Sequence, residues 1–226
     1  MASEAISAAN VGGALHYSPA ILVAGRPTSQ TRRHRVTDPS LVRAARRAGA
    51  PFKTVFDILV TTLALVFLAP IMVSLAVAIW LSDGELPLIG HERAGRHAKP
   101  FRCWKFRTRR RETGARTAIG SVLLATGLDG LPQLFNVLFG DMSLVGPQPL
   151  SKRKLNERYG KHRCYYLLLR PGIVGLWQTA SLSQLQPGPR IALDRKYVYE
   201  WSLVGDIKIM LRAASMALSG AKTAAK

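Results

Sequence analysis

Acidic residues are scarce in this chain, so an aspartate beside a turn is a natural candidate for chemistry. Only 13 Asp and Glu occur among 226 residues, against 32 Lys and Arg. Asp129 lies in the stretch LDGLP, where a helix is expected to begin, and Asp141 follows Gly140. A carboxylate at a helix start is stabilised by unsatisfied backbone amides and by the helix dipole. Asp129 is therefore either a helix N-cap or a nucleophile or metal ligand beside phosphate-binding cations, and Asp141 is the second candidate metal ligand.

Basic residues able to bind phosphate flank this acidic turn in the sequence. Phosphate binding needs clustered guanidinium and ammonium donors near turns where the backbone can approach the anion. The candidates are Arg93, Arg96, Lys105 and Arg107 before the turn and Arg170 after it. The basic run at residues 107 to 116 is more typical of a solvated or lipid-facing surface. No catalytic role is assigned to the histidines because they lack metal-ligand spacing.

Predicted helices and strands would position these residues. Apolar spacing predicts a short amphipathic helix within residues 128 to 146, with Asp129 at its start. Residues 151 to 169 predict a second helix, and residues 170 to 178 a tight turn into an extended piece. Turn residues after residue 82 alternate with short apolar and basic stretches, which indicates strands or extended loops. The apolar face within residues 203 to 218 is typical of a helix in the membrane interface or packed on the core.

The composition excludes several classes of protein. A hydrophobic content of 48% is too high for a disordered polycation, while a net charge of +19 is unusual for an average soluble enzyme. Such a charge requires an anionic partner, namely nucleic acid, a membrane surface or a phosphorylated substrate. Two cysteines, Cys103 and Cys164, lie far apart, which argues against a disulfide framework or a thiolate zinc site.

A long apolar segment predicts contact with a membrane. Residues 58 to 81 contain 24 residues without a charge, and as a helix they would be about 36 Å long at ~1.5 Å per residue. The soluble alternative is a buried helix, which is rarely this long and apolar on every face. Pro70 near the middle removes a backbone hydrogen bond, and basic residues flank both ends of the segment. These features favour a re-entrant helix-break-helix hairpin over residues 51 to 82 with its break at Pro70, although a plain span that tolerates Pro70 as a kink stays open.

The remaining chain divides into two parts. Residues 1 to 50 are rich in Ala, Ser, Gly and Arg without a sustained apolar period, which predicts a disordered basic arm. No basic region precedes an apolar run there, so a secretory signal is not expected; an organelle transit peptide is the alternative. Residues 83 to 226 are then expected to form a small cytoplasmic catalytic domain. The fold class predicted for the whole chain is mixed α/β, mostly helical and membrane-associated, with interfacial amphipathic helices.

Five stretches in a fixed order resemble the bacterial sugar transferase family, the monotopic polyprenyl-phosphate phosphoglycosyl transferases that initiate exopolysaccharide repeat units. The resemblance covers about residues 52 to 212. Its parts are the apolar segment with its central Pro, KFRT at 105 to 108, LPQLFNVLFGDMSLVGP at 131 to 147, RPGIVGLWQ at 170 to 178 and YVYEWSLVGDIKIM at 197 to 210.

The resemblance implies a two-step transfer at the cytoplasmic face of the bacterial inner membrane. In the family an aspartate, matched here by Asp129, attacks the β-phosphorus of a UDP-sugar and releases UMP. Polyprenyl (undecaprenyl) phosphate then takes the galactose or glucose phosphate from the enzyme, with Mg²⁺ assisting. The expected partners are UDP-sugar, polyprenyl phosphate and membrane lipid, together with later glycosyltransferases of the same pathway.

Three departures from the family pattern leave alternatives open. Gly130 replaces the acid that usually follows the aspartate, Gln148 replaces an Arg, and Leu182 lies near another expected Arg. Losing a metal ligand or a bidentate donor costs orders of magnitude in rate. The chain is therefore an active transferase or an impaired relative that regulates or scaffolds polysaccharide assembly. Nucleic-acid binding is not expected because aromatic residues do not interleave with the basic runs.

Overall fold

A computed structural model describes residues 39 to 178 and 187 to 218. Within these residues the chain forms eight helices and four short strands, which confirms a mixed and mostly helical α/β fold. The helices are α1 (Pro39–Ala48), α2 (Pro51–Asp83), α3 (Ala118–Thr126), α4 (Gln133–Leu138), α5 (Lys152–Tyr159), α6 (Arg163–Leu167), α7 (Pro187–Glu200) and α8 (Leu203–Leu218). The strands are β1 (Leu88–Ala94), β2 (Pro100–Phe106), β3 (Ser143–Val145) and β4 (Gly172–Val174).

Helix α1 corrects the predicted boundary of the basic arm. Residues 1 to 38 lie outside the described residues, but α1 begins at Pro39 and is fully helical. Leu41, Ala44, Ala45 and Ala48 are buried in the same cluster as residues of α7. These four positions follow the i, i+3, i+4, i+7 spacing of one helix face. The prediction treated this stretch as unstructured because alanines between arginines make a weak apolar pattern.

Helix α2 is continuous through Pro70, so the predicted break at this residue is wrong. Every residue from Pro51 to Asp83 is helical. Pro70 is exposed, and the Ser74 hydroxyl donates a hydrogen bond of 2.8 Å to the Pro70 carbonyl. A proline removes one backbone hydrogen bond from a helix. Buried contacts before it at Thr61 and after it at Met72 hold both halves of the helix to the rest of the protein.

The two faces of α2 differ in what they contact. One face is buried against the domain at Lys53, Asp57, Thr61, Met72 and Ile79. The opposite face exposes large apolar side chains to the surroundings over the length of the helix, which does not fit the predicted alternative of a buried soluble helix. The segment Pro39–Ser82 is long and apolar enough to cross a membrane. The exposed apolar residues are Phe52, Val55, Leu59, Leu63, Val66, Phe67, Ile71, Val73, Val77, Trp80 and Leu81.

Strands β1 and β2 form an antiparallel hairpin in the stretch where extended structure is predicted. Leu88 lies opposite Phe106, and Ala94 lies opposite Pro100. Strands β3 and β4 instead pair in parallel, with Ser143 opposite Gly172. A Cβ atom at Gly172 would lie 2.0 Å from the backbone nitrogen of Gly146, so this close approach requires glycine.

The C-terminal half contains a correction and a confirmation. The single helix predicted at 151 to 169 is two helices, because Gly160 adopts a positive φ of 45° between α5 and α6. The predicted helix at 203 to 218 is present as α8. It buries Ile209 in the core and exposes Val204 and Leu211. The burial of Ile209 confirms packing on the core, and a position in the membrane interface stays a prediction.

Candidate active site

Asp129 lies on a sharp turn between α3 and α4. Helix α3 ends at Gly127, whose φ of 78° lies in the left-handed region that favours glycine. A single 3-10 turn, Leu128–Gly130, then carries Asp129, and the two flanking helical segments meet at 90°. Pro132, not Asp129, occupies the N-cap of α4. The interpretation of Asp129 as an N-cap is therefore wrong, and its carboxylate is free for another partner.

The partner of Asp129 is Lys105 on β2. The Lys105 Nζ atom donates a hydrogen bond of 2.7 Å to Asp129 Oδ2. The Asp129 side chain is only 12% exposed and the Lys105 side chain 32% exposed, so Asp129 is mostly buried and the pair is open to solvent chiefly at Lys105. A carboxylate that is held by one ammonium group and still partly open to solvent can react with an incoming electrophile, while the ammonium group stabilises negative charge beside it.

Asn136 fixes the strand that carries Lys105. This residue lies on α4 and is only 1% exposed. Its Oδ1 atom accepts a hydrogen bond of 2.9 Å from the Trp104 backbone N–H, and its Nδ2 atom donates one of 2.7 Å to the Arg102 carbonyl. Because one amide side chain satisfies two backbone groups of β2, the strand keeps its register against α4. Asn136 has no local sequence signal, since its role depends on a strand 32 residues earlier.

The face of the β1–β2 hairpin that carries Lys105 also carries Arg93 and His91, beside the buried Cys103 and Phe101. Ile89 is opposite Lys105, His91 is opposite Cys103, and Arg93 is opposite Phe101. Residues opposite each other share a face, and alternate residues of a strand share it too. Arg93 and Lys105 therefore lie on one face with His91 between them. Burial lowers the pKa of His91, and the charges of Arg93 and Lys105 lower it further. Both effects favour the neutral imidazole.

Arg107 is not brought to Asp129. Its Nη1 atom lies 2.7 Å from Glu85 Oε2, and its Nε atom donates a hydrogen bond of 2.8 Å to the Leu86 carbonyl. Arg107 therefore ties the end of the hairpin to the segment that follows α2. The predicted phosphate-binding role of Arg107 at the Asp129 turn is not supported by these contacts.

Arg170 lies in a different part of the protein from Asp129. Its Nη1 atom donates a hydrogen bond of 3.1 Å to Thr54 Oγ1 near the start of α2. Leu128 and Leu131, which flank Asp129, pack instead on the cluster that contains Met72 and Ile79. Thr54 and Met72 are separated by about 27 Å of helix at ~1.5 Å per residue. The close neighbour of Arg170 is Arg96, whose pKa is lowered first by burial and then by the Arg170 charge.

The acidic residues provide few ligands for a metal ion. Asp141 follows the C-terminal end of α4, where its N–H donates a hydrogen bond of 2.9 Å to the Asn136 carbonyl, whereas Asp129 precedes α4. Helix α4, about 9 Å long at ~1.5 Å per residue, lies between them. The described residues contain no group of three or more His, Cys, Asp or Glu able to hold a metal. Such a sparse set fits a Mg²⁺ ion that takes most of its ligands from substrate phosphates and water.

Gly130 occupies the place of the second acid in the family pattern. A Cβ atom at this residue would lie 3.0 Å from Nε2 of Gln133. That atom is the end of a flexible side chain, so a larger residue at 130 requires only that Gln133 move. Leu182, the third departure from the family pattern, lies outside the described residues.

A buried ionic cluster was missed by the sequence analysis. Lys53 Nζ lies 2.6 Å from Asp206 Oδ2 and 3.6 Å from Asp57 Oδ2. Tyr197 Oη donates a hydrogen bond of 2.8 Å to Asp206 Oδ1, and Trp201 Nε1 donates one of 3.0 Å to Asp206 Oδ2. The cluster joins α2 to α7 and α8. Its sequence signal was Lys53 followed four residues later by Asp57 at the start of an otherwise apolar helix.

Comparison with known proteins identifies the class of protein to which this fold and site belong. The family model for bacterial sugar transferases matches residues 48 to 220. The chain therefore belongs to the bacterial sugar transferase family, as the sequence motifs predicted.

Individual relatives have names consistent with this membership. An undecaprenyl-phosphate galactose phosphotransferase from Salmonella typhimurium is 35% identical over 77% of this chain and 42% of its own length. The exopolysaccharide production protein ExoY from Sinorhizobium fredii is also 35% identical, over 77% of this chain and 88% of its own length. A UDP-glucose:undecaprenyl-phosphate glucose-1-phosphate transferase from Klebsiella pneumoniae is 35% identical over 70% of this chain. The chain thus spans less than half of the Salmonella protein but most of ExoY.

Proposed function

We propose that this protein transfers a sugar phosphate from a UDP-sugar to polyprenyl (undecaprenyl) phosphate, the first step of exopolysaccharide repeat-unit synthesis. The observation that carries the proposal is the partly exposed Asp129–Lys105 pair at 2.7 Å on the turn between α3 and α4. Relatives named as undecaprenyl-phosphate sugar phosphotransferases support the reaction class. Galactose 1-phosphate and glucose 1-phosphate are the candidate groups, since the relatives' names include both sugars.

The first step forms a covalent intermediate on Asp129. An oxygen of its carboxylate attacks the β-phosphorus of the UDP-sugar, the bond from that phosphorus to the bridging oxygen breaks, and UMP leaves with the electron pair. Lys105 holds the carboxylate in place and offsets the negative charge that gathers on the phosphoryl oxygens. Arg93, on the same hairpin face, provides a second cation for the diphosphate.

The second step returns the enzyme to its starting state. A phosphate oxygen of polyprenyl phosphate attacks the phosphorus of the aspartyl intermediate, and the Asp129 carboxylate leaves as its bond to phosphorus breaks. Dividing one difficult transfer into two easier ones is the general advantage of covalent catalysis. When bound with the diphosphate, Mg²⁺ would neutralise phosphate charge, with Asp129 as the protein ligand nearest the reaction and Asp141 as the second acidic candidate.

The exposed apolar faces support a position at the membrane that contains the lipid substrate. Outward apolar residues of α2, together with Phe139 after α4 and Leu211 on α8, are largely exposed. We place the protein at the cytoplasmic face of the bacterial inner membrane, where the basic residues contact anionic lipid headgroups. Its partners would then be UDP-sugar, polyprenyl phosphate, membrane lipid and later glycosyltransferases of the pathway, with no nucleic acid.

The proposal is tested by UMP release from the full chain in nanodiscs with Mg²⁺, polyprenyl phosphate and a panel of UDP-sugars. Asp129→Asn should lower release by a factor of roughly 10⁴ or more, as loss of a covalent nucleophile does. The matched control is Glu157→Gln, since Glu157 lies on α5, is 59% exposed and pairs only with Arg153 at 3.7 Å among the described residues; it should leave release within about twofold of the wild type. Without polyprenyl phosphate, labelled sugar phosphate should remain on the wild-type protein and be absent from Asp129→Asn. Equal release by Asp129→Asn and the wild type would contradict the proposal.

A second candidate function is favoured by Gly130. With no acid beside Asp129, the chain would be an impaired relative that regulates or scaffolds polysaccharide assembly. The Gly130→Glu variant separates the two functions, and a Cβ atom at this residue would meet only the Gln133 side chain within 4 Å. Release that is absent in the wild type and present in Gly130→Glu would identify the impaired relative. Release in both would establish that Gly130 is tolerated in an active enzyme.

A further inference from the structure

A cavity that the proposed chemistry does not use lies between α5, α7 and the chain segments that follow β3 and β4. Its volume is about 160 Å³. Complete small-molecule sites usually have volumes of about 300 Å³ or more, so this cavity suits one part of a ligand. Its apolar walls include Leu150, Ile191 and Trp177, and its polar groups come from Gln148, Arg158, Arg190 and Asp194.

The polar groups of the cavity include hydrogen-bonding atoms without a partner in the protein. The Arg190 guanidinium lies over the Trp177 ring, with Cζ 4.6 Å from the ring centroid. Among the described residues, the buried atoms Arg190 Nε and Trp177 Nε1 have no hydrogen-bond partner, and Trp177 is only 3% exposed. Buried polar atoms nearly always have partners. Unpaired donors at the wall of a cavity are available to hydrogen-bond acceptors of a bound ligand.

An acceptor lies on the same wall. Asp194 is 3% exposed and accepts a hydrogen bond from the Tyr159 hydroxyl. Burial raises the pKa of Asp194 to about 6, and the Tyr159 hydrogen bond and the Arg190 charge oppose that rise. The carboxylate is therefore ionised at pH 7 and can accept a further hydrogen bond from a ligand N–H.

Strand β1 connects this cavity to the Asp129 site. The Ala94 N–H donates a hydrogen bond of 2.8 Å to the carbonyl of Leu150, a wall residue of the cavity. The Tyr166 hydroxyl links the same two residues. It accepts a hydrogen bond of 3.0 Å from the Leu150 N–H and donates one of 2.8 Å to the Ala94 carbonyl. Ile89, at the other end of the strand, is opposite Lys105. The five residue steps from Ile89 to Ala94 cover about 17 Å at ~3.3 Å per residue, and Arg93 lies along the way.

We propose that this cavity binds the nucleoside of the nucleotide-sugar donor, a pyrimidine base with its ribose. The inference rests on the proposed function, which places the β-phosphorus at Asp129. In a nucleotide sugar the hexose is joined to the β-phosphate through one oxygen, whereas the base is separated from it by the α-phosphate and the ribose. The nucleoside end extends furthest from the β-phosphorus, so it is the end directed along β1 toward the cavity, and the diphosphate then lies beside Arg93.

The chemistry of the cavity matches a pyrimidine with two carbonyls and an imide N–H. Guanidinium donors of Arg158 and Arg190 suit the carbonyl oxygens, and Asp194 or the Gln148 amide oxygen suits the imide N–H. The exposed face of the Arg190 guanidinium, stacked on Trp177, provides a platform for a flat ring. Two other arginines line the same space as Gln148, where relatives of this family usually have Arg, and they would provide the cationic donors that Gln148 lacks.

The test measures UDP binding calorimetrically with the full chain in nanodiscs in the presence of Mg²⁺. Arg190→Gln and Arg158→Ala should each weaken UDP binding by about tenfold, the size of one lost charge-assisted hydrogen bond. Arg153→Ala is the matched control, since Arg153 is on the same helix as Arg158 but is 82% exposed and lies outside the cavity. It should leave UDP affinity within about twofold of the wild type, the size of a surface ion-pair effect. Thermal unfolding confirms that each variant is folded, and exposed Arg158 provides a substitution that does not disturb the core.

The outcomes separate this inference from the proposed function. Weaker UDP binding with a smaller preference for UDP over ADP supports the nucleoside cavity, even if the wild type releases no UMP; in that case only the proposed reaction fails. Unchanged UDP affinity in both cavity variants overturns the inference, whether or not turnover of UDP-sugars falls. Weaker UDP binding with an unchanged preference for UDP over ADP also overturns it, because contacts to phosphate alone would explain that result.

Discussion

Asp129 and Asp206 each bind a lysine at nearly the same distance, yet their surroundings give them different roles. The Lys105–Asp129 pair is 2.7 Å apart and the Lys53–Asp206 pair 2.6 Å. Asp206 is 1% exposed, and Tyr197 and Trp201 also donate hydrogen bonds to it. Among the described residues, Lys105 is the one hydrogen-bond partner of Asp129.

The contrast shows that pairing with a lysine does not by itself distinguish a structural carboxylate from a reactive one. A carboxylate whose oxygens are all satisfied inside the protein has no free lone pair directed at a substrate. It also cannot be approached without unfolding the helices that it joins. A carboxylate with one partner at a partly exposed position keeps an oxygen available for attack on a substrate. Its lysine can then stabilise the negative charge as that charge moves from the carboxylate to a phosphoryl group.

The largest expected effect on stability comes from breaking the buried Lys53–Asp206 pair. Asp206→Asn should lower the free energy of unfolding by about 3 to 5 kcal/mol, because it leaves the buried Lys53 ammonium with Asp57 alone at 3.6 Å. Chemical denaturation in detergent measures the change. Asp129→Asn is the control and should change stability by about 1 to 2 kcal/mol, because its partner Lys105 is 32% exposed and can be hydrated when the pair is lost. Equal losses in the two variants would show that the two pairs do not differ as described.

The next largest effect is expected on the rate of UMP release when Lys105 is replaced. Lys105→Gln should reduce UMP release by about 100-fold to 1,000-fold, the range observed when one donor to a developing oxyanion is removed. The loss should fall mainly on kcat, and stability should change by about 1 kcal/mol or less. Lys105→Arg serves as the comparison, since it retains the charge but changes its geometry. A Lys105→Gln variant with wild-type kcat would remove Lys105 from the proposed mechanism.

Asp194 should make stability depend on pH in a direction opposite to most acidic residues. Burial raises its pKa from 3.8 to about 6, so the folded protein binds this proton more tightly than the unfolded chain. The contribution of protonated Asp194 to the free energy of unfolding is complete below about pH 4 and is lost as the pH rises to about 6. Its size is about 2 to 3 kcal/mol, since one pKa unit corresponds to ~1.4 kcal/mol. Asp194→Asn should remove this slope from unfolding curves recorded between pH 4 and 7, and a persistent slope would assign it to other groups.

The smallest effect is expected at Arg107. Arg107→Gln breaks the ion pair with Glu85 and the bond to the Leu86 carbonyl, so stability should fall by about 1 kcal/mol. UMP release should stay within about threefold of the wild type, because this side chain is occupied away from Asp129. A loss as large as that of Lys105→Gln would mean that Arg107 leaves Glu85 when substrate binds. That result would restore the role predicted from the sequence.

Part of the site could be predicted from the sequence because its signals are local. Asp129 stands in a short motif beside turn residues, and Lys105 belongs to KFRT, so both were identified without a structure. Only the folded structure shows which of these two basic residues of KFRT reaches Asp129. Lys105 pairs with Asp129, whereas Arg107 pairs with Glu85. Asp194 and Arg190 were missed because each becomes meaningful only beside Tyr159 and Trp177, which are distant in sequence.

The sequence by itself determined the family, the mixed and mostly helical fold class, the long apolar segment and the aspartate on the acidic turn. These properties depend on composition, short motifs and apolar periodicity, which a chain carries before it folds. The tertiary structure decided that α2 continues through Pro70, that Arg170 lies beside Thr54 and Arg96, and that two lysine–aspartate pairs differ in access to solvent. These properties depend on which surfaces meet after folding, because burial and long-range contacts fix the partners of a charged side chain.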